Sequence, residues 1–468
     1  MNRDEKKPID TARDEERPLI ELPVLIKLVI IMGALMIGLG LLFLPLPVTI
    51  GLFLAAGSFF FICSNPFLGL LLFMAAHFLQ PVAFFPELES LRLVRILSFV
   101  ALLAWILNMM IKRRFVFTKS IQNGLIILYG VLVLNSSFMY PEYSFPFFIE
   151  SLKVFILFFL IVNLVVTERK LMIFVSMIAA MGAAISLIGI YQHVKGMGVV
   201  YASEGIVRVC GPFLDPNDFA SHLISIIPLV MCLFWYTKAI MPKLMLLFIS
   251  SLLVIALVFT YSRGGAVGLG IVLIGVFIEL LFQKRKTKWI YIGGVIFMAI
   301  ISISLIPENY RQRLQTVTIT KESAIQSRLD AWQTGFEMMK SKPWIGIGLA
   351  TYKYNYAPYA PPGVDPRRML VAHNMFINVG AESGIPSLAV FLLIILISFW
   401  DMVTALKDSA RNGLYFVASL SKFLIISLLG FLACSVFLSI QWVPILWILL
   451  ALSVVIKNVS SGKNEKQN

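Results

Sequence analysis

Residues 243–282 read KLMLLFISSLLVIALVFTYSRGGAVGLGIVLIGVFIELLF. Two apolar runs of about 20 residues flank Thr260-Tyr261-Ser262-Arg263-Gly264-Gly265. Each run matches the ~30 Å hydrocarbon core that an α-helix crosses in about 20 residues. The Ser-Arg-Gly-Gly turn between them makes a helical hairpin, with one arginine at its tip. Similar runs recur along the chain, which is 59% hydrophobic with a mean hydropathy of +0.89 over 468 residues. A soluble protein could not bury so much apolar side chain. No alternating strand pattern points to a β-barrel. Helices alone satisfy their own backbone in lipid, so the class is all-α, a polytopic helical membrane protein.

Spans fall at roughly 22–43, 47–63, 67–85, 92–110, 121–138, 147–166, 171–193, 216–236, 243–261, 264–282, 289–306, 373–400, 414–436 and 441–456. The short pairs near 47–85 and 414–456 leave 12–14 transmembrane helices. Basic clusters orient them: Lys112-Arg113-Arg114, Arg169-Lys170, Lys238 with Lys243, Lys284-Arg285-Lys286, and Lys407 with Arg411. With fourteen spans and both termini inside, all of these are cytoplasmic, as the positive-inside rule requires. The net charge of +14 is thereby explained without nucleic acid. The expected organisation is a disordered cytoplasmic tail at 1–21, membrane helices over 22–306, a large extracytoplasmic loop at 307–372, C-terminal membrane helices over 373–456, and a cytoplasmic tail at 457–468. The first residues lack the apolar core and cleavage site of a signal peptide. The cysteines, Cys63, Cys210, Cys232 and Cys434, have no CxxC spacing.

The long loop has internal order. Ser323 with Gln326 reads as a capping box. Ile325, Leu329, Trp332, Phe336 and Met339 form one helical stripe, and Pro343 ends the helix. Arg328 lies at the edge of that stripe, with Asp330 and Glu337 on the far side. The expectation is an interfacial helix that points Arg328 at lipid headgroups. Tyr352 to Pro362 is Tyr- and Pro-rich, with aromatics suited to sugar stacking or to the interface. His373 begins the next span, and His373, Ile377, Gly380 and Gly384 share a face suited to close helix packing.

Arg263, Arg328 and His373 therefore emerge on one side of the membrane. Arginine offers a planar, permanently charged fork for phosphate oxygens. Histidine is the natural base near neutral pH. Two fixed cations beside a base point to chemistry on a lipid-linked phosphate. Plainer readings exist for each: Arg263 as a snorkelling anchor, Arg328 as a headgroup contact or ion-pair partner, His373 as a cap or core residue. Asp215, Asn217 and Asp218 open the span at 216, as caps, as contacts to sugar hydroxyls, or as metal ligands through the two aspartates. Glu382 is about nine residues deeper than His373, roughly 13 Å along a helix and on the opposite face, where a structural role is expected. His77, His193 and His222 lack HxxxH or HExxH spacing, so no metal site and no cofactor are expected.

Four stretches in order carry a resemblance. They are Gly-Pro-Phe-x-Asp-Pro-Asn-x-Phe-Ala at 211–220, Tyr-Ser-Arg-Gly-Gly at 261–265, Ser327-Arg328 through Trp332 to Lys342-Pro343-Trp344-x-Gly346-x-Gly348, and His373-Asn374 to Glu382-x-Gly384. Over residues 205–400 the chain resembles the O-antigen ligase and O-antigen polymerase superfamily of bacterial membrane glycosyltransferases. The resemblance implies transfer of a glycan from undecaprenyl diphosphate to a glycan, lipid or protein acceptor, in polysaccharide biosynthesis for the cell envelope. The site would face outward from the cytoplasmic (inner) membrane. Arg263 and Arg328 would bind the carrier diphosphate, and His373 would deprotonate or orient the acceptor hydroxyl. Asn217 would contact donor or acceptor. Direct attack at the anomeric carbon inverts its configuration, and arginines on the diphosphate make a metal unnecessary. The first outer loop, Leu44-Pro45-Leu46-Pro47, has no acid, although the second carries Glu87-Leu88-Glu89. The alternatives are a polymerase of the same superfamily, a transporter or flippase of lipid-linked sugars, or a non-catalytic binding protein. A transporter would place charges along a mid-bilayer path between paired repeats, which this chain lacks.

Overall fold

A computed structural model describes residues 61–113, 117–201, 206–282, 318–365 and 370–462. The chain forms two compact units, 1–66 with 103–116, and 67–102 with 117–468. In the first, the described residues include Asn108, whose Nδ2 donates to the Cys63 carbonyl (3.4 Å). Everything below concerns the second unit.

The helices in chain order are α1 (Pro66–Leu79), α2 (Leu93–Ile111, shared between the units), α3 (Ile121–Ser137), α4 (Pro141–Leu164), α5 (Glu168–Val194), α6 (Pro216–Tyr236), α7 (Ile240–Phe259) and α8 (Arg263–Leu281). They continue as α9 (Thr318–Ser341), the single turn α10 (Tyr356–Tyr359), α11 (Met375–Arg411), α12 (Tyr415–Ser435) and α13 (Pro444–Ser460). Among the described residues nine helical segments are long and apolar enough to cross a bilayer, and α3 and α13 are shorter apolar helices. The molecule is thus an all-α, polytopic membrane protein. The expected spans at 67–282 and after 373 coincide with these helices to within about six residues, except that α11 runs to Arg411, eleven residues past the expected end at 400. Those at 22–43 and 289–306, and nearly all of 47–63, lie outside the described residues. One short antiparallel ribbon, β1 (Val199–Tyr201) with β2 (Ile206–Arg208), was not expected. Three residues per strand are too few for an alternating pattern to stand out.

Local chemistry sets the helix starts. Proline occupies the first turn of α4, α6 and α13, where its missing N–H costs nothing. Ser120, Thr167, Asp215, Ser262 and Asn374 cap α3, α5, α6, α8 and α11 with side-chain oxygens that accept from first-turn amides. Two helices are sheathed by others. α6 packs on α5, α7, α8 and α12, and α11 packs on α3, α9, α12 and α13. Small residues let backbones approach: a Cβ on Gly268 of α8 would lie 2.9 Å from the Gly430 carbonyl of α12. α7 instead exposes Met241, Leu244, Met245 and Phe248, an apolar surface consistent with lipid contact.

α9 departs from expectation. The helix is already running at Ser323, which is therefore not its cap. Its inward face is Ala331, Thr334, Gly335 and Met338, while Leu329 and Phe336 of the expected apolar stripe are about half exposed. Asp330, placed on the far side by the sequence, is buried and accepts from Gln326 Nε2 (2.7 Å). α9 lies against α11, so protein packing, not lipid, selected the buried face. Tyr352 and Tyr356 complete that core with Ile377 and Ala381. They are thus not sugar-stacking residues; the Tyr352 hydroxyl donates to the Ala331 carbonyl.

Candidate functional site

The site forms at the end of the bundle where α6, α8 and α11 begin. At α6, the Asp215 carboxylate accepts from the Asn217 amide (2.6 Å). The approach is clamped by Gln192, whose Oε1 accepts from the Cys210 and Gly211 amides (3.2 and 2.9 Å) and whose Nε2 donates to the Gly211 carbonyl (2.6 Å). Gly211 has φ +59°, and a Cβ there would press on the Phe219 ring at 2.8 Å. Glycine is the residue that fits both demands.

Arg208, at the end of β2, is 9% exposed. Its Nε donates to the Thr260 carbonyl (2.8 Å) and its Nη2 to Asn217 Oδ1 (3.1 Å). Ser262 Oγ also donates to Asn217 Oδ1 (2.7 Å) and accepts from the Gly265 amide (3.1 Å). This chain of bonds ties β2, α6 and the α7–α8 turn together. Arg263, the first residue of α8, is exposed at the tip of that fixed turn. Asn217 spends its carbonyl oxygen inside the network, so its amide NH2 is what it offers a ligand.

Arg328 reaches the same place from α9. It is half-buried, and its guanidinium lies over the Phe437 ring at 5.7 Å. Burial first, then the nearby Arg263 charge, lowers its pKa from the usual guanidinium range. His373 stands just before α11 with φ +47°, a left-handed turn rare for a side-chain-bearing residue. It is not the first residue of the helix, as the sequence reading has it. Asn374 takes the cap, its Oδ1 accepting from the Phe376 and Ile377 amides (2.9 and 3.1 Å). His373 is released from capping and half-buried. Burial, then Arg328, lowers its pKa below the ordinary 6.5, while Asp215 opposes the shift. The structure therefore brings Arg263, Arg328, His373 and Asp215 within electrostatic reach of one another, with Asn217 in the supporting network.

Glu382 is structural in part, as its depth implied. Its carboxylate meets the amides of Tyr352 and Ala350 and the Asn378 side chain. Around it, the Ile347 amide donates to the Ala381 carbonyl (2.9 Å), Gly348 to Glu382 (3.1 Å) and Ile385 to Pro343 (2.7 Å). These bonds dock the segment 343–352 onto α11 where Gly384 breaks it (φ +84°, ψ 166°). Gly384 is therefore a break in the helix, not only a packing residue. A Cβ there would stand 2.6 Å from the Trp344 carbonyl. Gly380 keeps its expected packing role, against Met339 of α9.

Beside the charged cluster lies a cavity of about 430 Å³ whose lining includes Asp218, His222, Asn378, Glu382, Gln441 and Trp442. His222 stacks on Phe213 with ring centroids 4.3 Å apart, and its Nδ1 faces the Asp218 carbonyl (2.8 Å). Among the described residues no three His, Cys, Asp or Glu side chains converge as metal ligands would.

Residues 248–392 match the family described as O-antigen ligase. That segment, about a third of the chain, is similar to the O-antigen ligase family. It runs from α7 to the middle of α11, so it contains Arg263, Arg328 and His373, and the resemblance read from the motifs is borne out there. The match supports a glycosyltransferase-like role in polysaccharide chemistry. No curated protein matches the chain.

Arg208 and the turn between α12 and α13 escaped the sequence reading. Arg208 was legible as a lone base between apolar residues in a segment assigned to the side that basic residues avoid. Phe437 carried no comparable signal.

Proposed function

We propose that the protein transfers an oligo- or polysaccharide from undecaprenyl diphosphate to an acceptor hydroxyl, at the outer face of a bacterial cytoplasmic membrane, in the manner of an O-antigen ligase. One observation carries the reading: the half-buried Arg328 lies within electrostatic reach of Arg263 and of His373, whose pKa burial and Arg328 both lower. Like charges held together in a partly dry site are relieved by an anion between them. A diphosphate suits, because each guanidinium offers paired N–H donors.

In the proposed step His373 accepts the proton of the acceptor hydroxyl. The acceptor oxygen attacks the anomeric carbon as the bond from that carbon to the diphosphate oxygen breaks. The electron pair leaves with the diphosphate, and Arg263 and Arg328 stabilise its growing charge. The proton on His373 then passes to solvent or to the departing diphosphate. Attack opposite the leaving group inverts the configuration. The arginines supply the charge that a divalent metal would otherwise supply. A polymerase differs only in that the acceptor is itself carrier-linked. In this reading 307–372 is the extracytoplasmic loop that brings Arg328 to the site.

The test uses purified protein in lipid vesicles, an undecaprenyl-diphosphate-linked oligosaccharide, EDTA and a panel of acceptors, carrier-linked glycan included. Free undecaprenyl diphosphate is followed for wild type and His373→Ala. Release by wild type that falls by about 10²–10⁴ in the variant supports metal-free transfer with His373 as base. Equal release removes His373 from that role. Appearance of the donor on the opposite leaflet without release transfers the argument to a flippase.

A further inference from the structure

α11 is too long for the membrane it crosses. Its 37 residues span about 55 Å at 1.5 Å per residue, against a hydrocarbon core of ~30 Å. Its exposed side chains mark the part that fits the core. Ile385, Leu392, Leu393, Leu396, Trp400 and Val403 form one exposed apolar stripe. From 385 to 403 the stripe runs about 27 Å, and Lys407 is the next exposed position on that face. Before Ile385 the helix is enclosed by protein: Met375 and residues 377–384 are buried. On the side of the charged cluster the hydrocarbon edge therefore falls at Ile385.

Another segment is fastened at that edge. The Ile385 amide donates to the Pro343 carbonyl, and the Trp344 carbonyl lies against Gly384. Trp344 is 77% exposed, with Ile345 exposed beside it. Further back along α9, Met339 packs on Gly380 and Gly335 on Ile377. Those two levels stand about 7.5 Å and 12 Å above Ile385 along α11. α9 thus climbs away from the bilayer instead of lying flat on it. Only its foot, from Lys340 to Ile345, is level with the headgroup layer, which is roughly 5–8 Å thick on each side. A tryptophan at the hydrocarbon edge is where a bilayer favours that ring.

The foot is also cationic. Lys340 and Lys342 are both exposed. Lys340 pairs with Glu337 (2.7 Å), and among the described residues no carboxylate meets Lys342. One net positive charge thus stands at the depth of lipid phosphates. Arg328 is about 18 Å further along α9, so the foot is separate from the charged cluster. We infer that Lys340, Lys342 and Trp344 bind the headgroups of anionic phospholipids, and that this contact fixes the end of the helix that carries Arg328. The headgroup binding stands without the transfer reading; its effect on transfer rests on it.

A bimane label on Ser341→Cys, between the two lysines, tests it in the full protein in vesicles. The vesicles are phosphatidylcholine with either doxyl-phosphatidylglycerol or doxyl-phosphatidylcholine, labelled at the top of the acyl chain. Protein without Ser341→Cys corrects for the native cysteines. Both lipids should quench, the anionic one about fivefold more effectively. Lys340→Gln with Lys342→Gln should bring that ratio to unity, Trp344→Ala should weaken quenching by both lipids, and His373→Ala should change neither. Quenching by neither lipid, equal quenching by both, or a preference that survives the double substitution would each overturn the inference. A preference abolished by millimolar inorganic phosphate at constant ionic strength would assign the lysines to free phosphate instead. In the transfer assay phosphatidylglycerol should raise the wild-type rate severalfold and leave the double variant at the rate seen in phosphatidylcholine alone. A wild-type rate indifferent to phosphatidylglycerol overturns the link to Arg328. Selective quenching in a protein that releases no carrier diphosphate keeps the lipid site and sinks the transfer reading.

Discussion

Burial and Arg328 both disfavour the His373 cation and lower its pKa, against the opposing pull of Asp215. The sign of the pH dependence follows. In the proposed step protonation would remove the base, so activity should fall as pH drops through the lowered pKa, with the acid limb of the kcat/KM profile below 6.5. Replacing Arg328 by alanine removes one cause of the shift. The residual activity should be about 10²–10³ lower, with its acid limb moved up toward the ordinary histidine value. A purely structural arginine would cost activity without moving the limb. Arg208 makes a separate prediction, since it touches the Thr260 carbonyl and Asn217 rather than the open site. Arg208→Ala should lower kcat/KM about tenfold, through loss of charge-assisted bonds that hold the turn beneath Arg263. Arg208→Lys, which can keep one of those bonds, should recover part of it, and the acid limb should stay where it is in wild type.

At the scale of elements, the site depends on where helices are interrupted. α7 and α8 part at Tyr261 (φ +47°), α11 is preceded by His373 in the same conformation, and Gly384 breaks α11 where 343–352 docks. Gly384→Ala combines left-handed strain with a backbone clash at Trp344. It should destabilise the protein by about 1–3 kcal/mol, read as a fall in midpoint in a detergent thermal melt. The spans themselves were legible, because apolar runs of about 20 residues leave few alternatives. The buried face of α9 was not. Its sequence offers two competing stripes, and the one holding Ala331, Gly335 and Met338 won by fitting Tyr352 and Ile377, contacts distant in sequence. Arg263, Arg328 and His373 were readable as candidates because charged and titratable groups in such a chain stand out. The cavity was not, since its lining gathers residues from six stretches of chain distant in sequence.

Among the described residues, three ion pairs away from the site tie helices together. Lys457 of α13 pairs with Asp401 of α11, which also accepts from Gln122 of α3 (3.0 Å); Gln122 donates in turn to Ser453 (3.0 Å). Lys422 of α12 meets Glu279 of α8 (2.6 Å), and Arg95 of α2 meets Glu150 of α4 (2.5 Å). The Asp401 side chain is 3% exposed. Asp401→Ala would strand Lys457 and Gln122 and should cost about 3–5 kcal/mol, measured as lost thermal stability. Transfer per folded molecule should remain intact, because these residues do not belong to the site cluster.

Arg328 rests on Phe437, and the groups that meet there enter the chain at positions 263, 328, 373 and 437. Synthesis delivers them in that order, and the ring under Arg328 comes last. A nascent chain halted before α12 already carries both arginines and the histidine, yet lacks the surface that holds one arginine in place. Under the proposed function such a chain should be unable to discharge a lipid-linked carrier. Fragments divided at the Asn412–Leu414 turn should then each be inert and recover transfer only when made together, and biosynthesis itself would act as the safety catch on the proposed lipid-linked substrate.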